Sequence, residues 1–82
     1  MEEQQIFDAF LDILRPYAKD TDMLAAATGE THILNDLKVN SARLVDVIIK
    51  CEDTFDITVE DDEADKIRLV GDAVALIKKK LH

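Results

Sequence analysis

The sequence predicts an all-α fold: a small four-helix bundle of three main helices and one short one, with a long loop between the first two main helices. Three observations carry that expectation. Apolar residues recur at helical spacing in three separate segments, and no alternating strand pattern persists. The chain has 82 residues, 48% of them hydrophobic, enough for one small core. Positions 1–82 are therefore read as one domain.

The first helix is expected over about residues 3–15, where Ile6, Phe7, Phe10, Leu11 and Leu14 form one apolar stripe. Pro16 has no backbone donor and disfavours helix at Arg15, so the helix ends there or frays through Ala18. Residues 19–40 form a long connection. Asp20 or Thr21 is suited to cap a short helical segment over about 23–27, with Gly29 just past its end. A loop this long needs anchors, and Ile33, Leu34, Leu37 and Val39 are the candidates.

The second main helix is expected over about 41–54, with Leu44, Ile48, Cys51 and Phe55 in a narrow core sector. Arg43, Asp46, Lys50 and Asp53 lie opposite. Asp46 and Lys50 have the spacing of a surface ion pair worth about 0.3–0.5 kcal/mol. A short helix follows at about 61–66, then a last helix over about 70–81 with Val70, Ala73, Val74 and Ile77 inward. Lys78, Lys79 and Lys80 complement the negative end of its dipole.

Charge narrows the function classes. Eighteen acids against ten bases give a net charge of −8, and residues 52–65 hold eight acids and no base. Such a surface repels phosphate backbones and anionic lipid, so nucleic acid and membrane insertion are not expected. Basic patches on other proteins would be attracted. The chain opens Met1-Glu2-Glu3, acidic where a signal peptide is basic, and no apolar run has membrane-spanning length. A single cysteine excludes an internal disulfide, so a cytoplasmic setting is expected. Cys51, in the core sector, reads as a buried inert thiol. The run Glu60-Asp61-Asp62-Glu63 lacks the glycine of a calcium loop, and no zinc spacing of Cys and His occurs, so no metal site is expected. No dimerisation seam is visible, and a monomer is expected.

Ser41 stands at the mouth of the second main helix in Leu37-Lys38-Val39-Asn40-Ser41-Ala42-Arg43-Leu44-Val45-Asp46-Val47. Either it or Asn40 is suited to be the helix N-cap. As a catalytic nucleophile it is poorly served. The only histidines are His32 and His82, and no Gly-x-Ser-x-Gly elbow surrounds it. As an attachment point it is better placed, because a phosphate ester there would meet the positive end of the dipole and unpaired N–H groups. Ile49 projects off the core sector, close to Ala42 and beside Asp46 and Asp53, and reads as a docking spot.

The run from Asp36 to Ile77 resembles the acyl carrier protein family, whose second helix opens with Asp-Ser-Leu. Here the triplet is Asn40-Ser41-Ala42, Glu52-Asp53-Thr54-Phe55-Asp56-Ile57 resembles the acidic end of that helix, and Val70-Gly71-Asp72-Ala73 resembles the start of the last one. The resemblance implies a bundle of acyl-carrier type, without catalytic activity, that carries acyl groups as thioesters on 4′-phosphopantetheine attached to Ser41. That group would come from coenzyme A through a separate phosphopantetheinyl transferase. The implied pathways are fatty-acid, polyketide or related lipid biosynthesis. Acyl-transferring and acyl-modifying enzymes with basic patches would dock on Ala42, Asp46, Val47, Ile49, Glu52 and Asp53. Val45, Ile48, Phe55, Ile57, Ile67 and Ile77 would wall an acyl cavity. Asn40, Ala42 and Arg43 depart from the family pattern, which implies specialised clients. The alternative is a helical interaction module of carrier type that is never modified.

Overall fold

The computed structural model describes residues 2–81 and is helical throughout its regular parts. Helix α1 runs Glu3–Leu14, α2 Thr21–Ala25, α3 Leu44–Phe55, α4 Asp61–Ala64 and α5 Val70–Leu81. A 3₁₀ turn, Ser41–Arg43, leads into α3. The expected elements are all present, with two shifts. The short segment in the long connection starts two residues earlier than expected because Asp20 caps it, its side chain accepting the Met23 N–H at 2.9 Å. The second main helix opens as 3₁₀ rather than α, so its α-helical part begins at Leu44.

α1 closes on solvent at its start, where the Glu2 N–H donates to Gln5 Oε1 at 2.9 Å. Its inward face is Ile6, Phe10, Ile13 and Leu14. That face packs against α5 and α3. α5 contributes Val70, Ala73, Val74 and Ile77, as the spacing predicts. α3 contributes Val47, Cys51 and Phe55, with Leu44 and Ile48 half-buried.

The long connection is part of the core. Ile33 and Leu37 are as buried as Phe10 and Leu14, Val39 is nearly so, and Leu34 is half-buried. Burying such a side chain contributes roughly 1.5–3 kcal/mol. Fixing one residue's backbone costs about 1–2 kcal/mol. The anchors therefore offset the cost of ordering themselves and a neighbour, but not twenty residues. Backbone hydrogen bonds supply the rest. The Ile33 N–H donates to the Arg68 carbonyl at 3.0 Å, the Val70 N–H to Thr31 at 2.9 Å and the Gly71 N–H to Gly29 at 2.8 Å. His32 and Leu69 form an isolated antiparallel bridge between these strips. At the other end, the Leu37 carbonyl accepts the N–H groups of Lys19 (3.1 Å) and Asp20 (3.2 Å). The connection is thus tied to both ends of the bundle.

This crossing explains one glycine. A Cβ on Gly71 would lie 2.7 Å from the Gly29 carbonyl oxygen, whereas one on Gly29 would meet nothing nearer than 3.7 Å. Only position 71 needs the missing side chain.

α4 is short and held at both ends. The Glu60 N–H donates to Glu63 Oε1 at 3.0 Å, and Lys80 Nζ of α5 sits 2.8 Å from the same carboxylate. The Lys80 hydrogen bond, helped by the Glu60 N–H, holds the Glu63 carboxyl below its ordinary pKa. The Glu52 carboxylate, at the end of α3, accepts the Val59 N–H at 2.9 Å and fixes the segment between α3 and α4.

Candidate functional site

Val39 is buried and Asn40 exposed, so the chain leaves the core as it reaches Ser41. Asn40 has extended backbone, and its Oδ1 accepts the Ala42 N–H at 2.9 Å. The cap of this helix mouth is therefore Asn40. Ser41 Oγ makes no hydrogen bond among the described residues, and the residue is exposed. The Arg43 N–H donates to the Asn40 carbonyl at 2.8 Å, and the Leu44 N–H to Ser41. The N–H groups of Ala42, Arg43 and Leu44 at the helix mouth are thus already bonded within the chain.

Ser41 lies on the lip of an open cleft of about 460 Å³ between α3 and α4, lined by Leu44, Val45, Ile48, Asp61, Ala64 and Asp65. Behind Leu44 and Ile48 is a second, more enclosed space lined only by apolar residues and Cys51: Phe10, Val47, Val59, Ile67, Ala73, Leu76 and Ile77 complete it. Its volume is about 10 Å³, room for no more than a single water. Leu44 and Ile48 line both spaces, so they form the partition between the serine's cleft and the interior.

Of the expected cavity walls, Ile48, Ile67 and Ile77 line this interior space. Val45 does not. It is 60% exposed and faces the outer cleft, because it follows Leu44 on the solvent side of α3. Phe55 is buried one turn beyond Cys51, and Ile57 is half-buried past the helix end, so neither lines the space. Leu44, expected in the core sector but not as a cavity wall, lines it too, and so do Val59 and Leu76, which were not singled out from sequence because their side chains converge only once α3, α5 and the segment before α4 are packed.

The expected docking residues divide in the same way. Ala42, Ile49 and Asp53 are exposed, Ile49 by 50%. Val47 is 1% exposed and is corrected from a surface to a core residue. The apolar sector of α3 is wider than the narrow one expected, and its centre turns toward Val47, which shares the interior space with Phe10. Asp46 pairs with Arg43 at 3.3 Å rather than with Lys50. Glu52 is half-buried, with one carboxylate oxygen held by Val59.

His32 does not serve the serine. His32 Nδ1 accepts the Asn35 N–H at 3.2 Å, and its backbone N–H donates to Asp36 Oδ2 at 2.8 Å, while His82 lies outside the described residues. Burial, with Glu52 adding, pushes the Cys51 thiol up from 9.0 to about 12, so it carries no thiolate at neutral pH. Among the described residues no three metal-ligating side chains converge.

The chain is 40% identical to an acyl carrier protein from Lactobacillus acidophilus, over 95% of each chain. The chain belongs to the acyl carrier protein family. A second family member, from Exiguobacterium, is 35% identical over 98% of each chain. The crystal structure of the acyl carrier protein from Thermotoga maritima superposes with a TM-score of 0.80 at 30% identity, covering 99% of this chain and 92% of that one. No protein-family model matches the chain. Family membership fits the helical bundle, and as a member of this family the protein is an acyl carrier.

Proposed function

We propose that Ser41 is the point at which 4′-phosphopantetheine is attached, and that the protein carries acyl intermediates on that arm through fatty-acid, polyketide or related lipid biosynthesis. Family membership supports a phosphopantetheine carrier in general terms. The observation that carries Ser41 itself is the division of labour at the helix mouth. Asn40 does the capping, so the serine hydroxyl has no structural duty and stays exposed at the cleft. When bound, the group supplies a thiol on a flexible tether, which holds an acyl group as a thioester. The chain's own residues do the rest. Ser41 presents its oxygen, the turn holds it clear of the core, and among the described residues no base is hydrogen-bonded to it. A separate phosphopantetheinyl transferase must therefore bring both coenzyme A and the general base.

Leu44 and Ile48 divide the outer cleft from the apolar interior, and the interior is the natural shelter for an aliphatic cargo. Each methylene transferred there gains about 0.8 kcal/mol. The space is nearly closed, so these two side chains have to move for a chain to enter. Client enzymes that transfer or modify acyl groups are expected to dock on the exposed residues around Ser41, chiefly Ala42, Ile49 and Asp53. We place the protein in the cytoplasm as a monomer, supported by its lone buried thiol and its acidic surface. Among the described residues no helix is long and apolar enough to cross a membrane.

Intact-mass measurement after incubation with coenzyme A and a phosphopantetheinyl transferase tests the reading. The wild type should gain one phosphopantetheine and Ser41→Ala none. A wild type that stays unmodified with several transferases would leave an unmodified interaction module as the better description.

A further inference from the structure

The chain carries a net charge of −8, and α4 brings Asp61 and Asp65 to the far side of the serine's cleft, yet the stretch that follows the serine along α3 is not acidic. Residues 41–51 hold two cations, Arg43 and Lys50, and one acid, Asp46. The Arg43 guanidinium lies 3.3 Å from the Asp46 carboxylate, with both side chains substantially exposed. The next acid along α3, Glu52, is drawn back onto the Val59 N–H. Glu63 is tied to Lys80. The first two turns after Ser41 therefore show an incoming protein Val45 and Ile49, exposed by 60% and 50%, around a charge pair that is already closed.

Helix stability gives no reason for Arg43 to be there. It is the residue immediately before α3, at the end where the dipole disfavours a cation. Its order relative to Asp46, base before acid, is the weaker of the two for a helical pair. Its side chain is 65% exposed, so little of it is buried against the fold. A cation placed where the fold gains little from it, on the one acid of residues 41–51, acts on whatever approaches that face of α3.

We propose that Arg43 is a specificity-determining residue: it masks Asp46 and so turns away enzymes that dock by setting a lysine or arginine on that carboxylate, leaving those that bind the apolar pair Val45 and Ile49. The proposal rests on Ser41 being the attachment point. Electrostatic masking acts on encounter more than on the bound chemistry, and it fades with salt.

The experiment is a loading time course by intact mass, with coenzyme A and a phosphopantetheinyl transferase whose docking face is basic, at low and high salt. Arg43→Ala should raise kcat/KM by roughly two- to fivefold at low salt, through KM, with the gain disappearing at high salt. Asp46→Asn should change little alone, and should abolish the gain when combined with Arg43→Ala. Lys50→Ala, which removes an equal charge one turn further on, should show less than half the effect. A rate for Arg43→Ala equal to or below wild type overturns the proposal, and so does a gain that survives Asp46→Asn. Wild type that is never loaded overturns the Ser41 reading instead, and the masking proposal with it. Thermal melts of Arg43→Ala, expected at or slightly above wild type, show that the fold is intact.

Discussion

Cys51 shows how burial of one atom fixes its chemistry. Its thiol stays protonated up to about pH 12 in the folded chain, against 9.0 without the fold. Between those values the unfolded chain has lost the proton and the folded one has kept it. Stability must therefore fall as pH rises through that window. Urea titrations at pH 8 and pH 10 should show the midpoint dropping, by less in Cys51→Ala, and iodoacetamide should label Cys51 only once the protein unfolds. The thiol's burial was legible from its spacing with Phe55. That of Val47 was not: on a helical wheel it sits at the edge of the apolar sector, and only the position of α1 decides which edge is covered. Ser41 and Asn40 pose the same difficulty. Either residue type caps helices, and the choice between them depends on backbone geometry that a sequence does not display.

Elements were more legible than residues. α1 and α5 follow from their apolar periods, and Pro16 and the terminal lysines bound them. The second main helix was found at nearly its full length, but its 3₁₀ opening was not, because nothing in Ser-Ala-Arg distinguishes one tight turn from another. The connection from α2 to α3 was recognisable as anchored through Ile33, Leu37 and Val39. Its hydrogen bonds to residues 68–71 were not, since partners so far apart leave no local periodicity. Those bonds make a sharp contrast between two glycines. Gly71→Ala forces a methyl group to within 2.7 Å of a carbonyl oxygen and should cost about 1–3 kcal/mol, read from urea denaturation. Gly29→Ala, with its nearest neighbour at 3.7 Å, should stay near wild type.

At the scale of the whole molecule, the excess of eight negative charges is spread over a body of 32 × 26 × 19 Å. At about 0.01 M salt the screening length of ~30 Å spans it, whereas at 0.15 M it is ~8 Å. Like charges therefore repel across the full width at low salt and only between neighbours at physiological salt. The melting temperature should rise as sodium chloride increases over that range, most steeply at the low end, by calorimetry. The isolated bridge between His32 and Leu69 has a consequence of another kind. Helices of twelve residues are marginal on their own in water, and the local hydrogen bonds of the approach to Ser41, such as Val39 N–H to the Ile33 carbonyl, do not by themselves fix it to the bundle. Besides Lys19 and Asp20, it is docked by residues about thirty positions downstream of the serine, across a loop whose closure costs entropy before any contact repays it. The presentation of that serine is thus a late property of the whole chain. A nascent protein still lacking its last helix has the correct residues around Ser41 but not yet the surface that its enzymes would read.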